Sequence, residues 1–264
     1  LKEMTGVSFS VINETPGVKP SGKVISLGRT GLAMAAGFSD ANLGREGYSI
    51  NVKGDNLFLM GGKVRGPIYA VYALLEEDLG CRWYEKGTAT IPHVPTLTLK
   101  PVARKFVPVL DIRDPFYWDA FDGTWSLRNR TNSPSASVPE EFGGNMSYAL
   151  FVHTFNTLVP PDQYFKDHPE YFSENNGKRN PGQLCVSNPD IVPIVVNKVK
   201  EILKANPNAE VISVSQNDGM PCCDCPVCRA KAKEEGSLAG PLLLFINKVA
   251  DAVAKDYPNV KICT

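Results

Sequence analysis

The chain has 264 residues and a mass of 28.8 kDa, which is enough for one large or two modest domains with a buried core. Lys and Arg total 28 and Asp and Glu total 28, so the net charge is zero with histidine neutral. Proteins that bind nucleic acid or anionic membranes usually carry a basic excess, and no apolar run approaches the roughly 20 residues of a membrane span. We therefore expect neither a nucleic-acid partner nor a membrane span.

The first part of the chain, residues 1–104, has the pattern of a small α+β domain. Apolar and polar residues alternate over 48–52, and an apolar run at 57–60 follows the turn Gly54-Asp55-Asn56. Alternation next to a glycine-containing turn predicts a β-hairpin.

A helix is predicted after this hairpin. Its expected buried stripe consists of residues at helical spacing, namely Ile68, Val71, Tyr72, Leu75 and Leu79. Gly80 is typical of the position just past a helix end. The proline-rich segment 92–101 is typical of a linker or an edge strand, so we place the domain boundary after residue 104.

Residues 105–264 alternate between short apolar segments and amphipathic helices. One helix is predicted from Asn188-Pro189-Asp190 to about Asn206, and another from about Pro241 to a point before Pro258. The predicted strands are 109–113, 149–152, 183–186, 211–215 and 260–263. This alternation predicts an α/β fold with a parallel sheet covered by helices.

The number of predicted strands indicates a partial barrel. A complete (β/α)8 barrel takes about 250 residues, more than the segment 105–264 supplies. Five strands are either a small open sheet or the first half of a TIM-like barrel, and an ending in mid-strand at Thr264 favours the half barrel. We expect its last strand to lack a neighbour here, with the remaining strands in a C-terminal segment or another chain.

Several segments resemble known bacterial proteins. Residues 47–50, 64–72 (VRGPIYAVY) and 79–84 (LGCRWY) resemble the small N-terminal domain of bacterial α-glucuronidases and β-hexosaminidases. The downstream segments resemble a secreted bacterial family of unknown function in which a glycosidase-type barrel follows such a domain; they are 153–155 (HTF), 168–172 (HPEYF), 184–185 (LC), 215–218 (SQND) and a cysteine cluster.

The resemblance implies a carbohydrate-active protein, secreted, periplasmic or on the cell surface. A glycoside hydrolase needs a carboxylic acid that protonates the leaving oxygen, and it needs no cofactor for this step. In many glycosidase barrels this acid follows strand four, where the present chain has Asn217–Asp218. We therefore expect Asp218 to be the general acid. One large group of glycosidases has Glu at the corresponding position, so this chain departs from that group in the type of acid. Alternatively, Asn217-Asp218-Gly219 is only a polar turn.

A second carboxylate is not identified by the sequence. Asp114 and Glu170 are candidates, and later barrel strands are another source. In a substrate-assisted reaction an acetamido group of the sugar takes this role instead.

The expected substrate contacts are Asn217, His153, Arg113 and Trp118. The three polar residues lie at or just beyond the ends of predicted strands, and barrel enzymes hold their sites at the carboxyl ends of strands. Trp118, or Trp125 from the same loop, offers a flat apolar face to a sugar ring. We expect His153, Asn217 and Asp218 to converge beside this aromatic wall. Alternatively, the histidine is structural and the aromatic residues close the barrel mouth.

The chain has seven cysteines, four of them between positions 222 and 228. Cys223, Cys225 and Cys228 have C-x-C-x-x-C spacing and could share a structural zinc ion with Cys185. Disulfides are an equal alternative, because exported proteins usually oxidise their cysteines. In both cases the cluster would fix the loop beside Asp218.

Two other functions compete with a hydrolase. One is a glycan-binding protein that kept the barrel without catalysis, and the other is a redox or zinc-scaffold protein centred on the cysteines.

Overall fold

The computed structural model describes residues 1–15 and 20–264. The described chain forms two compact units, Leu1–Asn145 and Met146–Thr264, each of mixed α and β structure. The break between the units lies beyond the expected boundary at residue 104. One reason is that the strand Ala103–Phe106 is hydrogen-bonded into the sheet of the first unit.

The first unit is built around a four-stranded sheet. Its described strands are β1 (Ile25–Leu27), β2 (Tyr48–Lys53), β3 (Asn56–Gly61), β4 (Arg82–Glu85), β5 (Thr88–Thr90) and β6 (Ala103–Phe106). The sheet order is β1-β3-β2-β6, with β1 and β3 parallel and the other pairs antiparallel, and β4 and β5 form a separate antiparallel pair. The predicted hairpin is confirmed, because Lys53 pairs with Asn56 around a turn in which Gly54 has a φ of +60°.

The described helices of the first unit are α1 (Lys2–Thr5), α2 (Gly31–Ala35), α3 (Gly66–Ala73) and α4 (Gly123–Arg128), and a π-helical turn, Leu74–Asp78, continues α3. The buried face of α3 carries Tyr69, Ala70 and Ala73, whereas most of the predicted stripe is half-buried. The close contact between α3 and β3 explains why the predicted stripe is not the buried face of the helix. A Cβ on Gly61 of β3 would lie 2.0 Å from the carbonyl carbon of Gly66, so the two backbones touch at the start of α3. This contact leaves room for small residues such as Ala70 and Ala73 on the buried face.

The second unit contains α5 (Phe155–Leu158), α6 (Pro161–Tyr164), α7 (Ile191–Ala205), α8 (Pro226–Glu234) and α9 (Gly240–Val253), with strands β7 (Phe172–Asn175), β8 (Lys178–Leu184), β9 (Val211–Ser213) and β10 (Lys261–Cys263). The two long predicted helices are confirmed as α7 and α9. Their apolar stripes, represented by Val195 and Val199 of α7 and by Phe245 and Val249 of α9, belong to one buried cluster. The Asn188 side chain accepts a hydrogen bond from the Asp190 amide at 2.9 Å at the start of α7.

The predicted strands are confirmed only in part. Segments 211–215 and 260–263 contain β9 and β10, which pair in parallel. Segment 183–186 overlaps the end of β8, but the partner of β8 is the antiparallel strand β7. Segment 149–152 is not a strand, although the preceding residue Tyr148 forms a parallel bridge with Val211.

Segment 109–113 is also not a strand, and this prediction was wrong. Val109 and Leu110 are 95% and 67% exposed, so no layer covers their apolar side chains. Short apolar runs form strands only where a partner edge is available, and Pro108 beside this run cannot donate to a ladder. Across 1–15 and 20–264 the strands form several small sheets and no closed barrel, and the expected half barrel is not confirmed. No helix among these residues has the length and apolar character needed to cross a membrane.

Candidate functional site

Two loops of the second unit are joined at the carboxyl end of β9. The backbone amides of Thr154 and Phe155 both donate to the Ser215 carbonyl oxygen at 3.1 Å. In return, the Ser215 amide donates to the Thr154 hydroxyl at 2.9 Å. Thr154 and Ser215 are buried, so these bonds are shielded from water. The loop that carries His153 is therefore fixed against the residues that follow β9.

His153 has an unusual backbone conformation and an exposed side chain. Its φ is +58°, a left-handed value that few residues other than glycine adopt, although His is more tolerant of it than most. Its Nδ1 lies 3.3 Å from the Gln216 carbonyl oxygen. Because a carbonyl oxygen can only accept, this hydrogen bond requires the proton on Nδ1, which leaves Nε2 of a neutral ring as an acceptor.

Asn217 is held from both sides. Its backbone carbonyl accepts from Gln183 Nε2 at 2.6 Å, and its amide donates to Gln183 Oε1 at 3.1 Å. Its side-chain Nδ2 donates to Asn156 Oδ1 at 2.8 Å and to the Gly182 carbonyl at 2.9 Å. Neither Gln183 nor Asn156 was predicted from the sequence as a site residue. The signal for Gln183 was a polar residue at the start of the predicted apolar strand 183–186.

Asp218 lies at the tip of a turn. It is exposed, and its Oδ1 accepts from the Gly219 amide at 2.9 Å. Gly219 has a φ of +69°, so the polar-turn geometry considered for this segment is present. The structure therefore places Asp218 directly after the anchored Asn217, and it places His153 on the adjoining loop.

The two candidates for a second carboxylate have different surroundings. Glu170 is exposed and lies 3.0 Å from His168 Nδ1. Its own backbone amide and the His168 side chain hold the pKa of Glu170 below its usual value, which keeps it ionised. Asp114, in the first unit, has one buried carboxylate oxygen without a hydrogen-bond partner in the described part of the chain.

Arg113 belongs to a structural network of the first unit. Its guanidinium donates to Glu46, to the Arg130 carbonyl at 2.8 Å and to the Leu110 carbonyl at 2.8 Å. The second Glu46 oxygen pairs with Arg65, which is only 1% exposed. Arg113 does not follow a strand, and its donors are used by the protein itself, so the structure gives no support to its expected role as a substrate contact.

Trp118 and Trp125 are also residues of the first unit. Trp118 is 87% exposed and packs edge-on against Phe121, with ring centroids 6.0 Å apart. It borders a cleft of about 510 Å³ that is lined by residues of this unit alone. Trp125 is buried against Tyr117, so only Trp118 has a free ring face.

The cysteine cluster consists of Cys185, Cys223, Cys225 and Cys228. Their sulfur atoms all lie within 4.8 Å of one another, and the Sγ atoms of Cys185 and Cys225 are 3.8 Å apart. All except Cys223 are buried. No disulfide joins any of the chain's seven cysteines, each of which lies in a described range. These are the four residues that the sequence predicts as metal ligands.

The cluster is suited to holding a cation. The thiols of Cys223 and Cys228 hydrogen-bond the Cys185 sulfur and lower the pKa of Cys185 far below its ordinary value. The same hydrogen bonds raise the pKa of Cys223 to about 11 and raise that of Cys228. The titrations of Cys185, Cys223 and Cys228 are therefore coupled to one another.

No curated protein matches the chain. The model of a domain of unknown function, DUF4838, matches residues 83–264. This match covers more than half of the chain and includes His153, Asn217, Asp218 and the whole cysteine cluster. The chain belongs to the DUF4838 family.

Proposed function

We propose that this protein is a glycoside hydrolase that cleaves O-glycosyl bonds in an oligo- or polysaccharide, with its site at the carboxyl end of β9. The main support is the pair of adjoining loops that presents exposed His153 beside the Asn217–Asp218 turn. His153 keeps a left-handed backbone there, and such outliers cluster at functional sites. The resemblance to glycosidase-type proteins is the second support.

In the proposed reaction Asp218 is the general acid. It donates its proton to the glycosidic oxygen while the bond between that oxygen and the anomeric carbon breaks. The oxygen of a water molecule then bonds to that carbon, and the proton that this water releases restores the protonated Asp218, directly or by way of the second group and solvent. Asp218 is exposed, so the bound sugar has to exclude water from it. The Asn217 side-chain oxygen and His153 Nε2 would accept hydrogen bonds from sugar hydroxyls.

The second group in the reaction has two candidates. Glu170, in the same unit as Asp218, is ionised and therefore suits a base or a nucleophile. The acetamido group of an N-acetylated sugar would replace it.

A glycan-binding protein without catalysis is the second candidate function. Two observations favour it: the Asp218 carboxylate lies in solvent, and the Trp118 ring is free for a sugar to stack on. For either function we propose, from the resemblance, that the protein acts outside the bacterial cytoplasm, as detection in the periplasmic or culture fraction would verify.

The decisive assay uses aryl glycosides of several sugars with the parent protein, Asp218→Asn and Asp167→Asn. Asp167 is an exposed aspartate of the same unit and serves as the matched control. Loss of a general acid typically costs about 10²–10⁴ in rate, so Asp218→Asn should lose at least about 10² while the control keeps the parent rate. An Asp218→Asn protein as fast as the parent excludes Asp218 as the acid. A parent that binds oligosaccharides by calorimetry but cleaves none establishes the binding protein instead.

A further inference from the structure

We propose that Cys185, Cys223, Cys225 and Cys228 bind one structural zinc ion that holds the Asp218 loop against β8. The geometry, burial and hydrogen bonds of the cluster support this zinc site without any carbohydrate chemistry. Metal and thiol measurements test the site independently of any enzymatic activity.

The sulfur spacing fits a tetrahedral metal site. With a Zn–S distance of about 2.3 Å, the sulfurs of a regular tetrahedron lie about 3.8 Å apart. The Sγ atoms of Cys185 and Cys225 are 3.8 Å apart, and all four sulfurs lie within 4.8 Å of one another. A disulfide needs about 2.05 Å and joins sulfurs in pairs. Four sulfurs gathered around one point are the arrangement that a shared ion requires.

The surroundings of the cluster match a closed structural site. Backbone amides of Glu174 and Cys228 donate to the sulfurs of Cys223 and Cys225 at 3.3 and 3.5 Å. Such second-shell hydrogen bonds orient metal ligands and offset the charge of thiolates. The Arg179 guanidinium lies beside Cys185 and adds a positive charge. Three of the four sulfurs belong to buried residues, which leaves little access for water as a ligand.

Ser187 adds a further polar group. Its hydroxyl oxygen lies 3.1 Å from the Cys228 sulfur, 3.5 Å from that of Cys185 and 3.7 Å from that of Cys225. The hydroxyl can donate to one of these sulfurs once they are thiolates.

Cys222 provides a natural control because it is adjacent in sequence but outside the cluster. It is exposed, and its sulfur accepts a hydrogen bond from Gln216 Nε2 at 3.4 Å. A serine at this position therefore tests the effect of removing a neighbouring thiol without removing a ligand.

The placement of the ligands gives the ion its role. Gln183 and Cys185 are two residues apart at the end of β8, so an extended chain presents both on the same side. Gln183 binds the backbone of Asn217, and Cys185 groups with Cys223. The ends of the loop 218–222 are thus both attached to this one segment. We assign zinc because a structural role of this kind suits an ion without redox chemistry. Zinc is a d¹⁰ ion that binds four thiolates in a tetrahedron.

The test measures metal and thiols in the purified chain. We expect one zinc per chain by elemental analysis in both the parent and Cys222→Ser, and loss of zinc in Cys228→Ser. In denaturant with a chelator and without reductant, all seven cysteines should react with a thiol reagent. Reaction of only the three cysteines outside the cluster would establish disulfides and overturn the proposal, as would a parent chain free of zinc or loaded with iron.

If Cys228→Ser does not fold, cobalt provides a second measurement on the parent and on Cys222→Ser. Replacing zinc by Co²⁺ should give the intense visible absorption of a tetrahedral tetrathiolate in both proteins, and added zinc should abolish it. Absence of this spectrum, or octahedral-type weak absorption, would contradict the assigned ligand set.

Discussion

The side chain of Gln183 binds both backbone polar groups of Asn217, through Nε2 at 2.6 Å and Oε1 at 3.1 Å. Gln183 is only 2% exposed, so neither bond can be replaced easily by water. Only an amide side chain offers a donor and an acceptor side by side in this way. This pair fixes the position of Asn217 relative to the end of β8.

The first prediction concerns this pair. Gln183→Leu keeps the approximate volume but leaves the Asn217 amide and carbonyl without their partner, which should lower the free energy of unfolding by about 1–3 kcal/mol. Urea denaturation measures the change. Gln163→Leu, at an exposed glutamine of α6, is the control and should stay within about 0.5 kcal/mol of the parent. Equal effects of the two substitutions would show that the Gln183 bonds contribute nothing specific.

Local patterns predicted those parts of the fold that depend on neighbours in sequence. The β2–β3 hairpin, α7 and α9 were found because turn residues and apolar periodicity are local signals. The run 109–113 has a strand-like composition but no partner edge, and pairing is a property of distant residues. For the same reason the predicted strand 183–186 found only the end of β8, and the antiparallel partner of β8 was not foreseen.

In the candidate site, too, local sequence signals were predictive and long-range contacts were not. The C-x-C-x-x-C spacing identified three cysteines, and a fourth one at the end of a predicted strand completed the set. By contrast, nothing near Arg113 in sequence indicated its pairing with Glu46, which is 67 residues away. The sequence therefore predicted a substrate contact at Arg113, and the structure shows this half-buried side chain in an ion network with Glu46.

The second prediction tests that network. Glu46 pairs with Arg65 and Arg113, and its side chain is 8% exposed. Glu46→Gln removes the negative charge that pairs with both arginine side chains in a place shielded from water. Breaking a buried ion pair lowers the free energy of unfolding by about 3–5 kcal/mol. Glu141→Gln, at an exposed glutamate of the same unit, is the matched control. A loss below about 1 kcal/mol in urea denaturation would mean that the network is not needed for stability.

The third prediction concerns removal of the proposed zinc. A bound ligand present at about 1,000 times its Kd stabilises the folded state by about 4 kcal/mol. Removing such a ligand should therefore lower the Tm by roughly 8–16 °C. Chelation should therefore lower the Tm of the parent and of Cys222→Ser alike. Hydrogen exchange should accelerate around β8 and α8 while the β2–β3 hairpin of the first unit is unchanged. Uniform acceleration in both units would contradict a local clamp.

The fourth prediction is a pH dependence at Asp122, the N-cap of α4. Its Oδ1 accepts from the Trp125 amide at 2.9 Å, and this bond, assisted by Lys86 at 3.2 Å, holds the pKa of Asp122 below its usual value. A depressed folded-state pKa gives stability that is present above the unfolded pKa of about 3.9 and is lost as the pH falls through the folded value.

Asp122→Ala should therefore cost about 1 kcal/mol at pH 7, and the difference from the parent should shrink below about pH 4. Asp122→Asn keeps a capping oxygen and should cost less at pH 7. Urea denaturation at several pH values measures both variants. A penalty for Asp122→Ala that is the same at pH 3 and pH 7 would show that the carboxylate charge has no part in the cap.

The last prediction separates function from backbone strain at His153. A left-handed conformation costs a residue with a side chain roughly 1–2 kcal/mol, whereas glycine adopts it freely but loses about 0.5–1 kcal/mol through its more flexible unfolded chain. His153→Gly should therefore be as stable as the parent or slightly more stable. Asn42→Gly, at a left-handed exposed position of the other unit, is the control for this backbone effect.

The same two variants test the role of His153 in binding. If His153 Nε2 binds a sugar hydroxyl, His153→Gly should weaken oligosaccharide binding about 5- to 10-fold, the equivalent of one hydrogen bond. Asn42→Gly should bind as the parent does. Unchanged binding in a stabilised His153→Gly protein would remove His153 from the site and leave its conformation as a requirement of the loop that packs on Ser215.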